Sequence, residues 1–289
     1  MSLAIGMALL AAFLFGLNVH IQRVALDDTD ARSGTVLSVA GMTATLWLVA
    51  PWWVEWSWFR DPAMLIFIAV GLMWPAMGQS MQIKGTEVVG PALASSLGAF
   101  TPVFAVALAV TFLGEQLAWA DGVGIALMVG GLVFAAWSPK AMQRQFPMWA
   151  LLIPLGAALA RGLGQPLSAW GMRSIPSPFF STLIAGSTSL VLLILLYPTP
   201  HRKQRLARRG MRLFALSGVS NGMGILAMNV GMQHSSVSLV APLVATSPLM
   251  ALALGAWVFR REHLGRKHVI VAALVFIGTL LLIADFGGS

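Results

Sequence analysis

Cysteine is absent from these 289 residues, so neither a disulfide nor a thiolate-held metal is available to the chain. Charge is scarce too: Asp, Glu, Lys and Arg make up 10% of the sequence, against roughly 25% in an ordinary soluble domain. No polar segment exceeds about fifteen residues, which leaves no room for a water-soluble domain. The ten carboxylates, at 27, 28, 30, 55, 61, 87, 115, 121, 262 and 285, all fall at the ends of apolar stretches or between them. No pair of acids is therefore placed for general acid–base work, and no catalytic residue, metal or cofactor is expected. The run G-x-x-x-x-G-K-[ST] does not occur, which excludes P-loop ATP hydrolysis.

What the chain does have is apolar length. Hydrophobic residues make up 58%, and the mean hydropathy is +0.82. Val88 through Gly114 carry no ionisable side chain at all. About 20 apolar residues suffice for a helix to cross the hydrocarbon core. Ten such stretches can be drawn, at 3–25, 34–54, 62–83, 89–113, 117–137, 148–172, 178–197, 211–233, 236–259 and 264–284. The expectation is an all-α, multi-pass protein of the inner (plasma) membrane. The first stretch reads as a membrane helix and not as a cleavable signal, because no basic segment precedes it and no small-residue cleavage pattern follows. The pI of about 11.3 does not indicate nucleic acid, because Lys and Arg lie between the stretches, where orientation signals belong.

The pattern runs through twice, over 1–140 and 141–289. Met81-Gln82 lies nine residues before Pro91, and Met232-Gln233 nine before Pro242. Both copies continue with a small polar step, Ala94-Ser95-Ser96 and Ala245-Thr246-Ser247, then reach Glu115/Leu117 and Glu262/Leu264, and end near Gly131 and Gly278. The offset is 151 up to the fourth stretch and 147 after it, so the second copy is expected to lack about one helical turn. Five stretches per copy is an odd number, which places the copies in opposite orientations. The bases agree: fifteen of the 18 Lys and Arg lie in odd-numbered loops, including Arg202 to Arg212 and Arg260, Arg261, Arg266 and Lys267. By the positive-inside rule those loops face the cytoplasm, with both termini outside.

Gly90-Pro91-Ala92-Leu93, Phe100-Thr101-Pro102-Val103-Phe104, Phe112-Leu113-Gly114-Glu115 and Gly130-Gly131-Leu132 resemble the EamA-type repeat of the drug/metabolite transporter superfamily. The second copy is weaker, with Arg260-Arg261-Glu262 in place of Leu-Gly-Glu. The resemblance implies ten helices as two inverted repeats around a central cavity. It also implies export of amino acids or other small metabolites, aromatic amino acids and threonine or homoserine among them. It places both termini in the cytoplasm, opposite to the count of bases.

Polar side chains inside a span are costly and turn toward the bundle interior. Arg161 lies thirteen residues into the sixth stretch with no mid-span carboxylate to pair with, so it is a candidate clamp for a substrate carboxylate. The alternative is satisfaction by carbonyls freed at Pro166. Gln165 shares its face. Further cavity candidates are Asn18, His20 and Gln22 in the first stretch, Trp74, Gln79 and Gln82 in the third, Ser95 in the fourth, and Asn221, Asn229 and Gln233 in the eighth; each serves equally well as glue between helices. His20 is the only proton carrier on offer inside a span. Pro91 and Pro242 suit a first helical turn, while Pro102 and Pro248 fall within spans and kink them; the four are candidate hinges. Trp47, Trp52, Trp53, Trp56 and Trp58 form an interfacial belt.

Gly218-Val219-Ser220-Asn221-Gly222 matches the G-x-S-x-G pattern of serine hydrolases. That motif needs a strand-to-helix elbow, and here it lies in an apolar helix, so a close-packing face is expected in place of an intramembrane hydrolase. The expected function is secondary transport by alternating access, most simply uniport or weakly coupled efflux, with efflux of hydrophobic drug-like compounds as the rival. The expected partners are a small-molecule substrate and membrane lipids, with no nucleic acid, and a monomer suffices.

Overall fold

The computed structural model describes residues 1–136, 146–197, 207–257 and 266–288, and among them every element is helical. In chain order these are α1 (Ser2–Ala25), α2 (Ala31–Trp53), α3 (Met64–Val89), α4 (Pro91–Gly98 and Thr101–Leu108, continued by a wide turn at Ala109–Leu113), and α5 (Trp119–Ala136). The second half holds α6 (Leu152–Ser174), α7 (Pro178–Leu196), α8 (Arg208–His234), α9 (Val237–Val244 and Ser247–Trp257) and α10 (Arg266–Gly288). Eight runs are long and apolar enough to cross a membrane; α5 and α10 hold shorter apolar segments, Trp119–Ala135 and Ile270–Ile283. Large apolar side chains face outward on many of them, Leu48, Leu65, Phe112 and Leu195 among them, as lipid contact requires and water does not favour. Of the tryptophan belt, Trp47, Trp52, Trp53 and Trp56 are exposed, and Trp47 also donates to Ser187 Oγ at 3.0 Å.

Caps set several boundaries. Asp30 accepts from the amides of Arg32 and Ser33, at 3.0 and 2.9 Å, and so starts α2 at Ala31, three residues before the expected 34. Ser177 accepts from the Phe180 amide and Pro178 takes the first position of α7. Gly90, at φ 92°, is the turn between α3 and α4; only glycine takes that conformation cheaply. Positions 139, 140, 144, 198–205, 260–262 and 264 lie outside the described residues, as do the side chains of Arg266, Lys267 and Asp285.

Two expectations about the prolines need correcting. Pro91 is the first residue of α4, but Pro242 is the sixth of Val237–Val244, because Ser236 caps α9 five residues earlier than a first-turn proline would require. Pro102 and Pro248 do not bend continuous helices. Each is the second residue of a new segment, after breaks at Ala99-Phe100 and Ala245-Thr246. Pro102 and Pro248 are therefore equivalent, 146 residues apart, and the 151-residue register pairs positions that the helices do not.

The true register is visible in glycine contacts that occur in matched pairs. A Cβ built on Gly16 would lie 2.8 Å from the Ala251 amide nitrogen and 3.0 Å from Met250 Cβ. One on Gly162 would lie 3.1 Å from the Ala105 nitrogen and 2.7 Å from Phe104 Cβ, and each residue has its counterpart 146 positions away. Gly71 against the Ala185 carbonyl is matched by Gly218 against that of Ser38, at an offset of 147. Gly124 faces Gly278 where Gly131 faces Val271, again at 147, and this crossing runs α5 and α10 antiparallel. Contacts that exchange in pairs are what a twofold axis produces, here between two halves of one chain.

The shift between offsets has a local cause. Within α3, Leu72–Met77 breaks the helix at Trp74, whose backbone is extended (φ −148°, ψ 132°), ahead of the cis Trp74–Pro75 peptide. The break takes up one residue more than the continuous α8 does, and the offset drops from 147 at Gly71 to 146 at Gly78. No turn is missing from the second copy before α9.

Candidate functional site

The site is built where α6 passes the broken part of α3. Met148–Ser174, with its leading 3₁₀ turn, is 27 residues long, and Arg161 is its midpoint. Arg161, Gln165 and Ser168 follow at i, i+4 and i+7, so one face of α6 carries all three. Two glycines give the guanidinium its room: a Cβ on Gly78 would lie 3.0 Å from Arg161 Cγ, and one on Gly98 3.2 Å from its Nη2. Arg161 Nη2 donates to Gln82 Oε1 at 3.1 Å. Its Nε is buried with no partner among the described residues, as is Gln165 Oε1 on a side chain only 7% exposed. A neutral amide is thus the one hydrogen-bond partner given to a guanidinium at mid-span, and buried donors of this kind are paired in nearly every folded protein.

Beside it lies a small gap with room for about one water molecule. Trp74, Ser168, Thr182 and Asn229 supply its polar edge, and Met42, Val70, Ile225 and Met228 its apolar wall. Asn229 Nδ2 donates to Thr182 Oγ1 at 3.0 Å, which leaves Asn229 Oδ1 buried without a partner among the described residues. Trp74 joins the two regions. Its Cδ1 would be 3.3 Å from a Cβ on Gly78, beside Arg161, and its ring meets Phe15 of α1 edge-on with centroids 6.3 Å apart.

The other candidates separate into groups. Asn18 and Asn221 are buried, and Asn18 Oδ1 has no partner among the described residues. His20 is buried with Nε2 2.7 Å from the Ala251 carbonyl, which ties α1 to the second segment of α9. Gln22 and Gln79 are half-buried. Ser95 is exposed, one turn before Gly98, while Ser96 is buried. Gln233 is exposed at the end of α8, where it donates to the Pro176 carbonyl at 2.7 Å, and is not brought to the centre. Ser168 and Thr182 line the pocket and were not singled out from the sequence; Ser168 was within reach, two turns along from Arg161 on the same face.

Glu115 was read only as a repeat marker. Its Oε1 accepts from the Val237 amide at 2.7 Å and its Oε2 from the Ser238 amide at 2.9 Å and from the Ser238 hydroxyl. A carboxylate from the first copy therefore caps α9 of the second, at the positive end of that helix. Arg173 Nη2 donates to the Leu113 carbonyl at 3.2 Å, so the end of α4 is held from both sides. We expect Glu115→Ala to lower stability by about 2 kcal/mol, a lost cap with charged hydrogen bonds. Glu115→Gln should fall between, as measured by thermal unfolding in detergent.

The G-x-S-x-G run lies within the continuous α8. Ser220 Oγ donates to the Leu14 carbonyl at 3.1 Å, and Gly218 and Gly222 meet Ser38 and Met42 of α2. There is no strand-to-helix elbow here, and the motif is a packing face.

Paired apolar bundles closing around a polar centre define the build of a membrane transporter. The chain belongs to the EamA-like transporter family, whose profile matches it twice, over residues 2–137 and 148–284. A solved structure titled only "Crystal structure of protein" has the same fold, with a TM-score of 0.81 over 100% of both chains at 17% identity. No curated protein sequence matches this one.

Proposed function

We propose that this protein is a secondary transporter that exports a small metabolite, an amino acid foremost, across the inner (plasma) membrane by alternating access. In this reading ten helices span as two inverted five-helix units, with α5 and α10 included, and the polar centre is the substrate chamber. The observation that carries it is Arg161: a guanidinium at mid-span with an unsatisfied Nε and a neutral neighbour has spare capacity for a carboxylate. Gln165 Oε1 and Asn229 Oδ1 offer acceptors to an ammonium without adding negative charge. Export of hydrophobic drug-like cations fits less well, because no carboxylate lies at mid-span among the described residues to receive one.

The test is counterflow in proteoliposomes that hold unlabelled amino acid inside and a radiolabelled one outside. Saturable, protein-dependent exchange of L-amino acids is expected at equal pH on both sides. Exchange of lipophilic cations alone would reject the amino acid reading in favour of drug efflux.

A further inference from the structure

At the centre of the bundle the two copies carry different chemistry at equivalent positions, and the difference separates the charged part of the chamber from the greasy part. At the offset of 146, Gly78 corresponds to Gly224 and Arg161 to Phe15. The contacts correspond as well: a Cβ on Gly78 would meet Arg161 Cγ at 3.0 Å, and one on Gly224 would meet Phe15 Cε1 at 2.6 Å. Gln82, the partner of Arg161, corresponds at the same offset to Met228, which lines the pocket. Equivalent positions thus present a guanidinium with an amide on one side of the axis, and a phenyl ring with a thioether on the other. Trp74 bridges them, edge-on to Phe15 and next to Arg161 over Gly78.

We propose that Phe15 determines specificity: it holds the side chain of a substrate whose carboxylate is held by Arg161, so the preferred substrate is an amphipathic amino acid with an apolar or aromatic side chain. This rests on the transport reading above and goes further by dividing the chamber between two equivalent positions. A half-buried phenyl ring set edge-on to an indole recognises apolar surface and aromatic edges, and it has nothing to offer a second charge. Trp74, which Phe15 meets, also lines the gap with Met42, Met228 and Ile225, and the two methionines are flexible, polarizable side chains that adapt to the shape they enclose. A hydrophobic wall discriminates by only about 10- to 200-fold per group, so graded preference is expected in place of absolute selection.

The test is the ratio of kcat/KM for L-phenylalanine to that for L-alanine in proteoliposomes, for wild type, Phe15→Ala, Phe15→Leu and Arg161→Gln. Wild type should favour L-phenylalanine. Phe15→Ala should reduce that ratio about tenfold, mainly through KM, while Phe15→Leu keeps most of it and shows that the site tolerates substitution. Arg161→Gln should lower both substrates together and leave the ratio in place. An unchanged ratio in Phe15→Ala, with both substrates still carried, would overturn the role of Phe15 and leave the transport reading standing. If wild type carries neither amino acid, both fall.

Discussion

Arg161→Gln is expected to lower kcat/KM for amino acid exchange by about 100-fold or more while the protein still inserts and folds. The size follows from what is lost. Removing one partner of a buried, hydrogen-bonded charge pair costs about 2–5 kcal/mol, and every 1.4 kcal/mol is tenfold. The substitution itself is mild in the resting protein, because Arg161 has no salt-bridge partner among the described residues to strand: Gln82 is neutral, and a glutamine can bond to it. Loss of function should therefore not be accompanied by loss of fold. Arg161→Lys should recover little, since an ammonium is a point charge and cannot grip a carboxylate with two parallel bonds. Side-by-side measurement of exchange rate and thermal midpoint separates the outcomes. A variant that exchanges normally would mean that the guanidinium merely fills space between Gly78 and Gly98.

The second large effect concerns the fold. Gly218→Val places a branched side chain against the backbone of α2, where even a Cβ meets the Ser38 carbonyl oxygen inside contact distance. Backbone cannot rotate away as a side chain tip can, so α8 must move off α2 and the Ser38–Ser217 hydroxyl pair at 3.1 Å must part. Overpacking a tight interior typically costs about 1–3 kcal/mol and more where the neighbour is rigid, so about 3 kcal/mol or greater is expected. The symmetric substitution Gly71→Val, against Ala185, should cost a similar amount. Gly122→Ala is the control: its Cβ meets nothing within 4 Å, and removing a helical glycine should be neutral or stabilising by about 0.5–1 kcal/mol. Equal midpoints for Gly218→Val and Gly122→Ala would contradict the packing described.

The helices and the duplication were legible in the sequence because both are written in long-period signals, apolar length and repeated Gly, Pro and Glu landmarks. The register between the copies was not. Two prolines of similar context, Pro91 and Pro242, suggest the wrong pairing, and the 146-residue offset emerges from the matched glycine contacts, with the cap at Ser236 and the break at Trp74 accounting for the difference. A single-residue insertion in a helix leaves no mark in composition. Arg161 and Gln165 stood out because polar atoms at mid-span are rare. Thr182 did not, since a threonine in a helix commonly bonds its own carbonyl four residues back, as this one does to Pro178, and nothing in the sequence shows that it also receives Asn229. Glu115 was visible at the end of a span, but its partner lies 122 residues away and only packing brings the two together.

The interchange of Arg161 with Phe15 also bears on why such a carrier is one polypeptide. A dimer of identical five-helix subunits would have to present two guanidiniums across the axis, repelling each other in a low-dielectric interior, or two phenyl groups and no anion receptor. Covalent joining frees each copy to differ at that level, so ligand polarity can be read end to end in a chamber whose walls descend from one ancestor.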